Sequence, residues 1–332
     1  MRATVAKNAM AKQVCIVGAG ASGLVSAKVL REAGLSCTII EQRNLVGGVW
    51  SRDEANVGRH ENPIYDSLRT NLPKELMQFD DFEFSPGPSF VGHADVQSYL
   101  QSYAAAHGLD QPSVLRLGYS VHSIRREAPG RWAVACRHVA AAATAAAEAN
   151  PTIEEIYDAV VVCNGHYFLP IVPALPGQEA FEAAGGRVLH SSVYREPAPH
   201  VPARGVGGDS SRGGADGSDA DGVLVVGSGP SGMDISMELA QAGGRVTLSV
   251  RGSAPAAGAV QPGADPPAAA AAAAAAKPPS RGVKHVPGVK HAAGLTALHA
   301  DRCASFEDGS RSGPLSAVVL ATGFECARTE PD

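Results

Sequence analysis

Residues 17–23 read VGAGASG and residues 226–232 read VGSGPSG, so one glycine-rich loop occurs twice, 209 positions apart. Each copy follows a short apolar run and precedes apolar residues at helical spacing, which predicts a strand, a tight turn and a helix. A second strand follows in both copies. The predicted elements are a strand Gln13–Val17, a helix ending at Ala33 and a strand Cys37–Glu41, then a strand Val223–Val226, a helix ending at Ala242 and a strand Val246–Val250.

Each copy also has a closing strand that leads into a glycine turn. The runs are VVVCNG (160–165) and VVLATG (318–323), and they predict buried strands at Ala159–Cys163 and Leu315–Leu320. Two units of one architecture explain both repeats. We therefore predict an α/β fold with two Rossmann-like dinucleotide-binding domains, each a three-layer sandwich.

The boundary between the two domains follows from these repeats. We place the first domain at residues 11–169 and the second at 170–324. Further predicted elements of the first domain are an amphipathic helix Asp95–His107 and two strands, Ser120–Arg125 and Arg131–Arg137. Of two low-complexity inserts, the glycine- and serine-rich one at 203–222 predicts a solvated linker and the alanine-, glycine- and proline-rich one at 253–282 predicts disorder. The alanine-rich run at 140–149 is interpreted as a hairpin extension or a loop.

The glycines of each loop have separate tasks. The first permits the tight turn, the second lets a pyrophosphate approach the backbone, and the third lets the helix pack on the strand. The helix start then offers unpaired N–H groups to the phosphates. Glycines that serve only turns are the alternative, but both loops stand in the same strand-turn-helix context. We expect phosphate contacts at Gly18, Ala19, Gly20, Ala21, Ser22 and Gly23, and at Gly227, Ser228, Gly229, Pro230, Ser231 and Gly232.

The residue that ends each second strand indicates which nucleotide binds. Glu41 lies 23 residues after Gly18, where a carboxylate accepts hydrogen bonds from ribose hydroxyls and repels a 2′-phosphate. Arg251 lies 24 residues after Gly227, and its guanidinium suits the 2′-phosphate of NADP, although a plain surface arginine remains the alternative. The chain is therefore expected to hold a flavin-type dinucleotide and NADPH, so that hydride passes between them.

Composition excludes several classes of protein. The 332 residues carry a net charge of −5 and no Lys/Arg cluster, which argues against a nucleic-acid partner. No apolar run is long enough to span a bilayer, and the first residues lack a secretory core, so we expect a cytoplasmic protein, with an organelle-targeting remnant as the alternative. The six cysteines form no Cys-x-x-Cys pair and no zinc pattern, so we expect buried, reduced thiols and no metal.

These motifs resemble those of the flavin-containing monooxygenases, particularly the plant and algal type. GAGASG is similar to the family's FAD loop and GSGPSG to its NADPH loop, while CNGHY (163–167) and LATGF (320–324) resemble its connector and closing turn. The resemblance also covers GGVW (47–50) and YDSLRTNLPKELMQFDDFEF (65–84). It implies further flavin contacts at Gly48, Val49, Trp50, Thr70, Asn71 and Leu72.

The family's identifying motif aligns with AAGGRVLHSSVYRE. Gly186, His190 and Tyr194 match it, whereas Ala184 stands where the family has Phe, which implies the loss of an aromatic anchor. Tyr194 followed by Arg195 differs from the Trp found in Baeyer–Villiger relatives. The resemblance therefore favours oxygenation of nitrogen or sulfur over insertion into ketones.

The resemblance implies an NADPH monooxygenase similar to N,N-dimethylaniline monooxygenase. Reduced FAD would bind O₂ as a C4a-hydroperoxide, which passes one oxygen to a small amine or sulfide. Asn71 is implied as the catalytic residue beside flavin and oxygen, with a turn residue before Pro73 as the alternative. Trp50 would contact the flavin or pack in the core, and His190 would organise the domain junction rather than transfer protons.

The family chain normally continues well past the turn at LATGF and re-enters the first domain. The resemblance therefore implies that the second domain is inserted into the first and that residues 325–332 start the return, whereas this sequence stops at Asp332. Low-complexity sequence also replaces helix and strand expected between Arg251 and Leu295. We therefore expect either an incomplete gene sequence or a genuine short form. The second hypothesis is accordingly an uncoupled or non-catalytic flavoprotein. A disulfide reductase of similar layout is disfavoured because no Cys-x(2–4)-Cys exists.

Overall fold

The structure is a computed structural model that describes residues 11–52, 62–139, 151–167, 169–201, 221–251 and 288–325. The predicted alanine-rich run at 140–149 and the disordered tract at 253–282 lie outside the described residues, as do nearly all of the insert at 203–222 and residues 1–10. The chain divides into two compact units, one comprising Met1–Leu169 with Glu325–Asp332 and the other Pro170–Phe324.

The first unit is built on a parallel sheet. Its strands stand in the order β3-β2-β1-β7, and the first glycine loop joins β1 to α1. In chain order its elements are β1 (Gln13–Val17), α1 (Ala21–Glu32), β2 (Ser36–Glu41), α2 (His93–Ala106), β3 (Leu115–Leu117), β4 (Tyr119–Ala128), β5 (Arg131–His138), β6 (Ile153–Tyr157) and β7 (Ala159–Val162).

Three layers form this unit, as predicted. Helices α1 and α2 cover one face of the sheet around Leu24, Ile39 and Tyr103, all fully buried. The antiparallel sheet β4-β5-β6 covers the other face and packs Val134 and Cys136 against β1 and β2. Because each face of a parallel sheet must bury its apolar side chains, both covering layers are needed for stability.

Two sequence predictions for this unit need correction. Helix α2 begins at His93 rather than Asp95, because the Asp95 carboxylate accepts a hydrogen bond from Gly92 N at 3.0 Å and caps the helix two residues earlier. Strand β7 ends at Val162 and is not fully buried, and Val162 is 46% exposed. Within the described residues β7 is the outer strand of its sheet, so its apolar sequence has a neighbour, β1, on one side only.

The second unit repeats the architecture with a five-stranded parallel sheet. In chain order its elements are α3 (Gln178–Ala183), β9 (Arg187–His190), β10 (Gly222–Val226), α4 (Pro230–Gln241), β11 (Val246–Ser249), β12 (Val289–Ala292), β13 (Leu295–Leu298), β14 (Ala304–Phe306) and β15 (Leu315–Leu320). Two short strands at the ends of this stretch of chain, β8 (Leu169–Pro170) and β16 (Phe324–Glu325), pair with each other. The order is β12-β11-β10-β15-β9. The β13–β14 hairpin and α3 share one apolar cluster with the sheet, which includes Phe181, Leu224 and Leu298.

Several elements of the second unit were not predicted. Strand β12 lies where low-complexity sequence was expected to replace regular structure, so that expectation was wrong for Val289–Ala292. Strand β9, helix α3 and the β13–β14 hairpin were also missed. Each has three to six residues, too few to show a helical or alternating pattern.

The cysteines are less uniform than expected. Cys15, Cys37 and Cys136 are buried thiols, and burial raises the pKa of Cys15 to about 12, whereas Cys163 and Cys303 are half-buried. Within the described ranges no helix is long and apolar enough to cross a membrane.

Candidate functional site

The first glycine loop has no room for side chains at two of its three glycines. Gly18 has a φ of +103°, and a Cβ there would lie 2.4 Å from the carbonyl oxygen of Cys163 at the end of β7. A Cβ at Gly23 would lie 1.9 Å from the carbonyl oxygen of Gly18. The chain at the end of the closing strand and the start of the helix are therefore both packed tightly against the loop. Only glycine fits at Gly18 and Gly23.

The second loop repeats this geometry. Gly227 has a φ of +110°, and a Cβ there would lie 2.3 Å from the carbonyl oxygen of Ala321, after β15. A Cβ at Gly232 would lie 1.9 Å from the carbonyl oxygen of Gly227. In both loops the first glycine packs against the residue that follows the closing strand. This contact explains why each copy of the repeat includes a closing strand.

The middle glycines differ between the loops. Gly20 is covered by a short 3₁₀ turn, Gly48–Trp50, and a Cβ on Gly20 would lie 3.5 Å from the Cα of Gly48. Gly229 has no described atom within 4 Å of the position of a Cβ. We call each glycine loop with the start of its helix a cradle. The turn Gly48–Trp50 covers the first cradle, whereas no described residue covers the second at Gly229.

Each loop offers backbone donors. In the first, Leu24 N makes the first helical hydrogen bond, to Gly20 O at 3.0 Å, so the N–H groups of Ala21, Ser22 and Gly23 precede it. In the second, Met233 N bonds Gly229 O at 3.0 Å, and Pro230 at the first helical position has no N–H. Both helix starts suit phosphate oxygens.

Glu41 is buried beside the first loop. Its Oε2 accepts a hydrogen bond from Ala19 N at 2.7 Å and its Oε1 accepts one from Arg43 N at 2.8 Å. A carboxylate offers about four acceptor positions, so capacity remains for ribose hydroxyls. The sequence predicted Glu41 as an acceptor for ribose hydroxyls. It did not predict that the same carboxylate also fixes the loop through Ala19 N.

The corresponding place in the second unit is different. Val250, 209 positions after Glu41, is buried and apolar, so Ser228 N has no carboxylate like the one that binds Ala19 N. Arg251 follows in a turn and is exposed. Its guanidinium is therefore accessible beside the open loop, as a role in binding a 2′-phosphate requires.

The segment around Asn71 is anchored while Asn71 itself is accessible. Thr70 is buried and exchanges two hydrogen bonds with Val91, from Thr70 N to Val91 O at 2.9 Å and from Val91 N to Thr70 Oγ1 at 3.2 Å. Asn71 and Leu72 lie exposed in the next bend. Neither hydrogen-bonds the first loop within the described residues, so the structure does not join Asn71 to the loop directly.

The motif of Gly186, His190 and Tyr194 is structural. Ser192 N donates to His190 Nδ1 at 3.1 Å, so Nε2 carries the proton and donates to Gly323 O at 3.1 Å. Both ring nitrogens are thus engaged in holding the ends of β9 and β15. Tyr194 is fully buried, and its hydroxyl donates to Glu238 Oε2 at 2.9 Å.

The expected loss of the motif's aromatic anchor at Ala184 stays a prediction. Phe181, fully buried and three residues earlier, packs on Gly186, where a Cβ would lie 2.2 Å from its ring. Gly186 N also donates to Phe181 O at 3.0 Å. Gly186 therefore has an aromatic contact, which is made by a residue outside the aligned motif.

Comparison with known proteins agrees with this arrangement. The family described as flavin-binding monooxygenase-like matches residues 11–261. The chain belongs to this family. A curated relative, flavin-containing monooxygenase FMO GS-OX-like 9 of Arabidopsis thaliana, is 31% identical over 270 residues, which cover 74% of this chain and 52% of that protein. Flavin-containing monooxygenase 2 of Homo sapiens is 32% identical over 249 residues, covering 73% of this chain and 40% of its own.

A solved structure adds to the comparison. S-allyl-L-cysteine S-oxygenase from Allium sativum superimposes with a TM-score of 0.68 at 27% identity, covering 95% of this chain and 63% of that one. This flavin-binding monooxygenase-like chain spans about half the length of the curated Arabidopsis relatives it matches. The matches confirm the predicted family and the fold of two Rossmann-like units, and the predicted cofactors FAD and NADPH agree with a flavin-binding family.

Sequence reasoning missed residues that shape the first cradle of this flavin-binding monooxygenase-like chain. Arg43 is buried, and its Nη1 donates to Gly48 O at 2.7 Å and to Ser51 O at 2.8 Å. Gln97 Nε2 donates to Val46 O at 2.9 Å. No motif marks them, because each is recognised only by the carbonyl it reaches.

Trp50 lies partly buried and packs against the main core of the first unit. Its place in the turn above Gly20 leaves both of its predicted roles, core packing and flavin contact, compatible with the structure. No group of three or more described His, Cys, Asp or Glu side chains is placed to hold a metal.

Proposed function

We propose that the chain is part of an NADPH- and O₂-dependent flavin monooxygenase that oxygenates nitrogen or sulfur atoms of small molecules. The observation that carries this proposal is the pair of glycine cradles with the same backbone constraint. One has Glu41 at the end of its second strand, and the other has Arg251 in the turn after its second strand. Membership of the flavin-binding monooxygenase-like family supports it.

FAD fits the first cradle. A Cβ on Gly20 would contact the Cα of Gly48 at 3.5 Å, and without it the backbone of the loop stays bare, as the close approach of a pyrophosphate requires. Glu41 would accept hydrogen bonds from the ribose, and Gly18, Ala19, Gly20, Ala21, Ser22 and Gly23 would surround the phosphates. Gly48, Val49, Trp50, Thr70 and Leu72 would line the flavin side.

NADPH fits the second cradle. Gly229 has open space where a side chain would stand, and Gly227, Ser228, Pro230, Ser231 and Gly232 complete the loop. Arg251 would pair with the 2′-phosphate by charge-assisted hydrogen bonds. On this proposal residues 11–169 form the FAD domain and 170–324 the NADPH domain.

When bound, the flavin accepts hydride from NADPH and activates O₂ for transfer of one oxygen atom. The balance is NADPH, a proton, O₂ and a sulfide or amine giving NADP⁺, water and the oxide. Asn71 would hydrogen-bond the oxygen through its exposed amide, held in place by the anchored Thr70. His190 would hold the end of the NADPH domain's sheet rather than move a proton.

Sulfur is the substrate atom that a relative favours. The Allium sativum neighbour, 27% identical to this chain, is an S-allyl-L-cysteine S-oxygenase. We therefore propose a small sulfide as the first substrate to test and a tertiary amine as the second.

Stoichiometry tests the proposal. Protein loaded with FAD is given NADPH, O₂ and either methyl phenyl sulfide or N,N-dimethylaniline, and consumed NADPH, formed oxide and released H₂O₂ are measured. We expect close to one oxide per NADPH with at least one substrate. One H₂O₂ per NADPH with no oxide would identify an uncoupled flavoprotein, and no FAD binding would refute the proposal.

A further inference from the structure

We propose that Arg43 is a positioning residue of the FAD cradle, which fixes the turn covering the first glycine loop. The inference rests on the proposed function, which places FAD on that loop. It goes beyond it because no loop motif contains Arg43.

The Arg43 guanidinium is buried and reaches neutral oxygens. Its Nη1 lies 2.7 Å from Gly48 O, 2.8 Å from Ser51 O and 3.1 Å from Ser51 Oγ. These three oxygens belong to Gly48, the first residue of the turn Gly48–Trp50, and to Ser51, which caps the turn at its end. A charged donor that serves several carbonyls fixes their relative positions, because each hydrogen bond limits the others.

Arg43 is also connected to the first glycine loop, through the carboxylate of Glu41. Arg43 N donates to Glu41 Oε1, and the same carboxylate accepts a hydrogen bond from Ala19 N through Oε2. Gly47 N also donates to Ala19 O at 2.9 Å. The covering turn and the phosphate loop are thus joined through Glu41 and Arg43.

The fit between turn and loop is tight. Gly48 has a φ of +57°, and a Cβ there would lie 2.9 Å from the Cα of Gly20. A shift of the turn toward the loop would therefore bring Gly48 into steric conflict with Gly20. A shift away would move Trp50, which lies in the same turn and packs against the core of this unit.

The turn has other tethers, so loss of Arg43 should loosen it without unfolding the unit. Ser51 Oγ donates to Gly48 O at 2.9 Å, and Asn62 Nδ2 donates to Ser51 O at 2.7 Å. Gln97 holds Val46 O from helix α2. Each carbonyl that Arg43 serves keeps another donor, which avoids the cost of a buried unpaired group.

The test uses tryptophan fluorescence. The chain has two tryptophans, so Trp132→Phe leaves Trp50 as the single reporter. FAD is titrated into this parent and into its Arg43→Met, Arg43→Lys and Arg116→Met derivatives, following Trp50 quenching and, by calorimetry, the Kd. Arg116 is the matched control, because it is a half-buried arginine of the same unit that bonds Glu155 between β3 and β6.

We expect Arg43→Met to raise the Kd for FAD at least about tenfold and to shift Trp50 emission in the apoprotein to longer wavelength. Arg43→Lys should recover part of the affinity, because it keeps the charge but not the planar fork. Arg116→Met should change the Kd less than about twofold. Equal effects of Arg43→Met and Arg116→Met would overturn the inference and leave the proposed function standing.

Two results separate the remaining cases. If the parent protein binds no FAD, the proposed function fails, and this inference fails with it. If Arg43→Met does not fold, Ser51→Ala provides the measurement, because it removes only the hydroxyl that bridges Arg43 and Gly48 O. We expect a roughly threefold rise in Kd and, combined with Arg43→Lys, less than the product of the two effects. An unchanged Kd for Ser51→Ala would overturn the inference.

Discussion

The two glycine loops have nearly identical backbones but different surroundings. In both, the first glycine adopts a positive φ against a closing strand, and the third touches the carbonyl oxygen of the first. The first loop is covered by the turn at Gly48 and bonded by the buried Glu41. Among the residues that the structure describes, nothing covers the second loop at Gly229, and the exposed Arg251 lies in the turn after its second strand.

This difference separates what makes a cradle from what makes it selective. The backbone constraint is steric and local, so it recurs wherever a strand, a loop and a helix meet in this way. Selectivity depends on one side chain at the strand end and on whatever covers the loop. A repeat of the sequence therefore does not imply a repeat of the ligand.

The largest expected effect tests the shared constraint. Gly23→Ala and Gly232→Ala each place a Cβ 1.9 Å from a carbonyl oxygen, so each should destabilise its unit by about 3 kcal/mol or more. Thermal unfolding by circular dichroism measures this. Gly229→Ala, with nothing described within 4 Å, is the control and should unfold like the parent. If Gly23→Ala or Gly232→Ala lowered the stability of its unit only slightly, the two loops would not share the same steric constraint.

The second prediction concerns selectivity in the open loop. Arg251→Ala should raise the Kd for NADPH by about 10- to 100-fold, because charge-assisted hydrogen bonds to the 2′-phosphate are lost. The Kd for NADH should not change. Lys290→Ala removes another exposed cation of the same sheet and serves as control. Equal losses for both coenzymes would mean that Arg251 does not contact the 2′-phosphate.

The third prediction assigns oxygen chemistry to the first unit alone. Asn71→Ala should keep FAD bound and raise the fraction of NADPH electrons released as H₂O₂ several-fold, because the oxygen loses its hydrogen-bonding neighbour. Peroxide and oxide assays on the same sample measure it. Glu75→Gln, exposed in the same segment, should leave the ratio unchanged. An unaltered ratio in Asn71→Ala would show that Asn71 is a turn residue.

The smallest effect is the acid response of the first unit. The Arg116 guanidinium lowers the pKa of Glu155 below its usual 4.5, and the two form a bidentate pair. A depressed carboxyl pKa stabilises the fold above the unfolded value, and that contribution is lost as pH falls through the folded value. Both side chains are about a third exposed, so we expect less than about 1 kcal/mol.

The Tm difference between the parent and Arg116→Met at pH 7 and pH 3.5 measures this contribution. The difference should shrink in acid. If it stays constant, the pair contributes packing rather than charge.

Much of the fold could be predicted because its elements are long or repeated. Strands β1 and β15 have the predicted bounds, and helices α1 and α4 end within a residue of the prediction. Failures concentrate in short elements, such as β9 and the β13–β14 hairpin, whose cores come from distant residues. The burial of β7 was overestimated because an apolar sequence does not reveal how many neighbours a strand has.

The site was predictable to a similar degree. The glycines and the residues at the strand ends stand where the spacing indicates, and the nucleotide contacts assigned to them remain predictions. The motif indicated no aromatic partner for Gly186, because Ala184 stands at its aromatic position, whereas the structure packs Phe181 on Gly186. Arg43 carried no signal, because its partners are backbone carbonyls that every residue has.

The sequence by itself determined the two strand-loop-helix units, since their glycines mark positions where a Cβ cannot fit and their neighbours alternate by secondary-structure period. It also determined the charges at Glu41 and Arg251. Only the tertiary structure decided which loop is covered, how Glu41 and Arg43 share the covering turn, and that His190 holds Gly323. Those contacts join segments that the chain brings together only on folding, and a hydrogen bond to a carbonyl leaves no trace in the sequence of its acceptor.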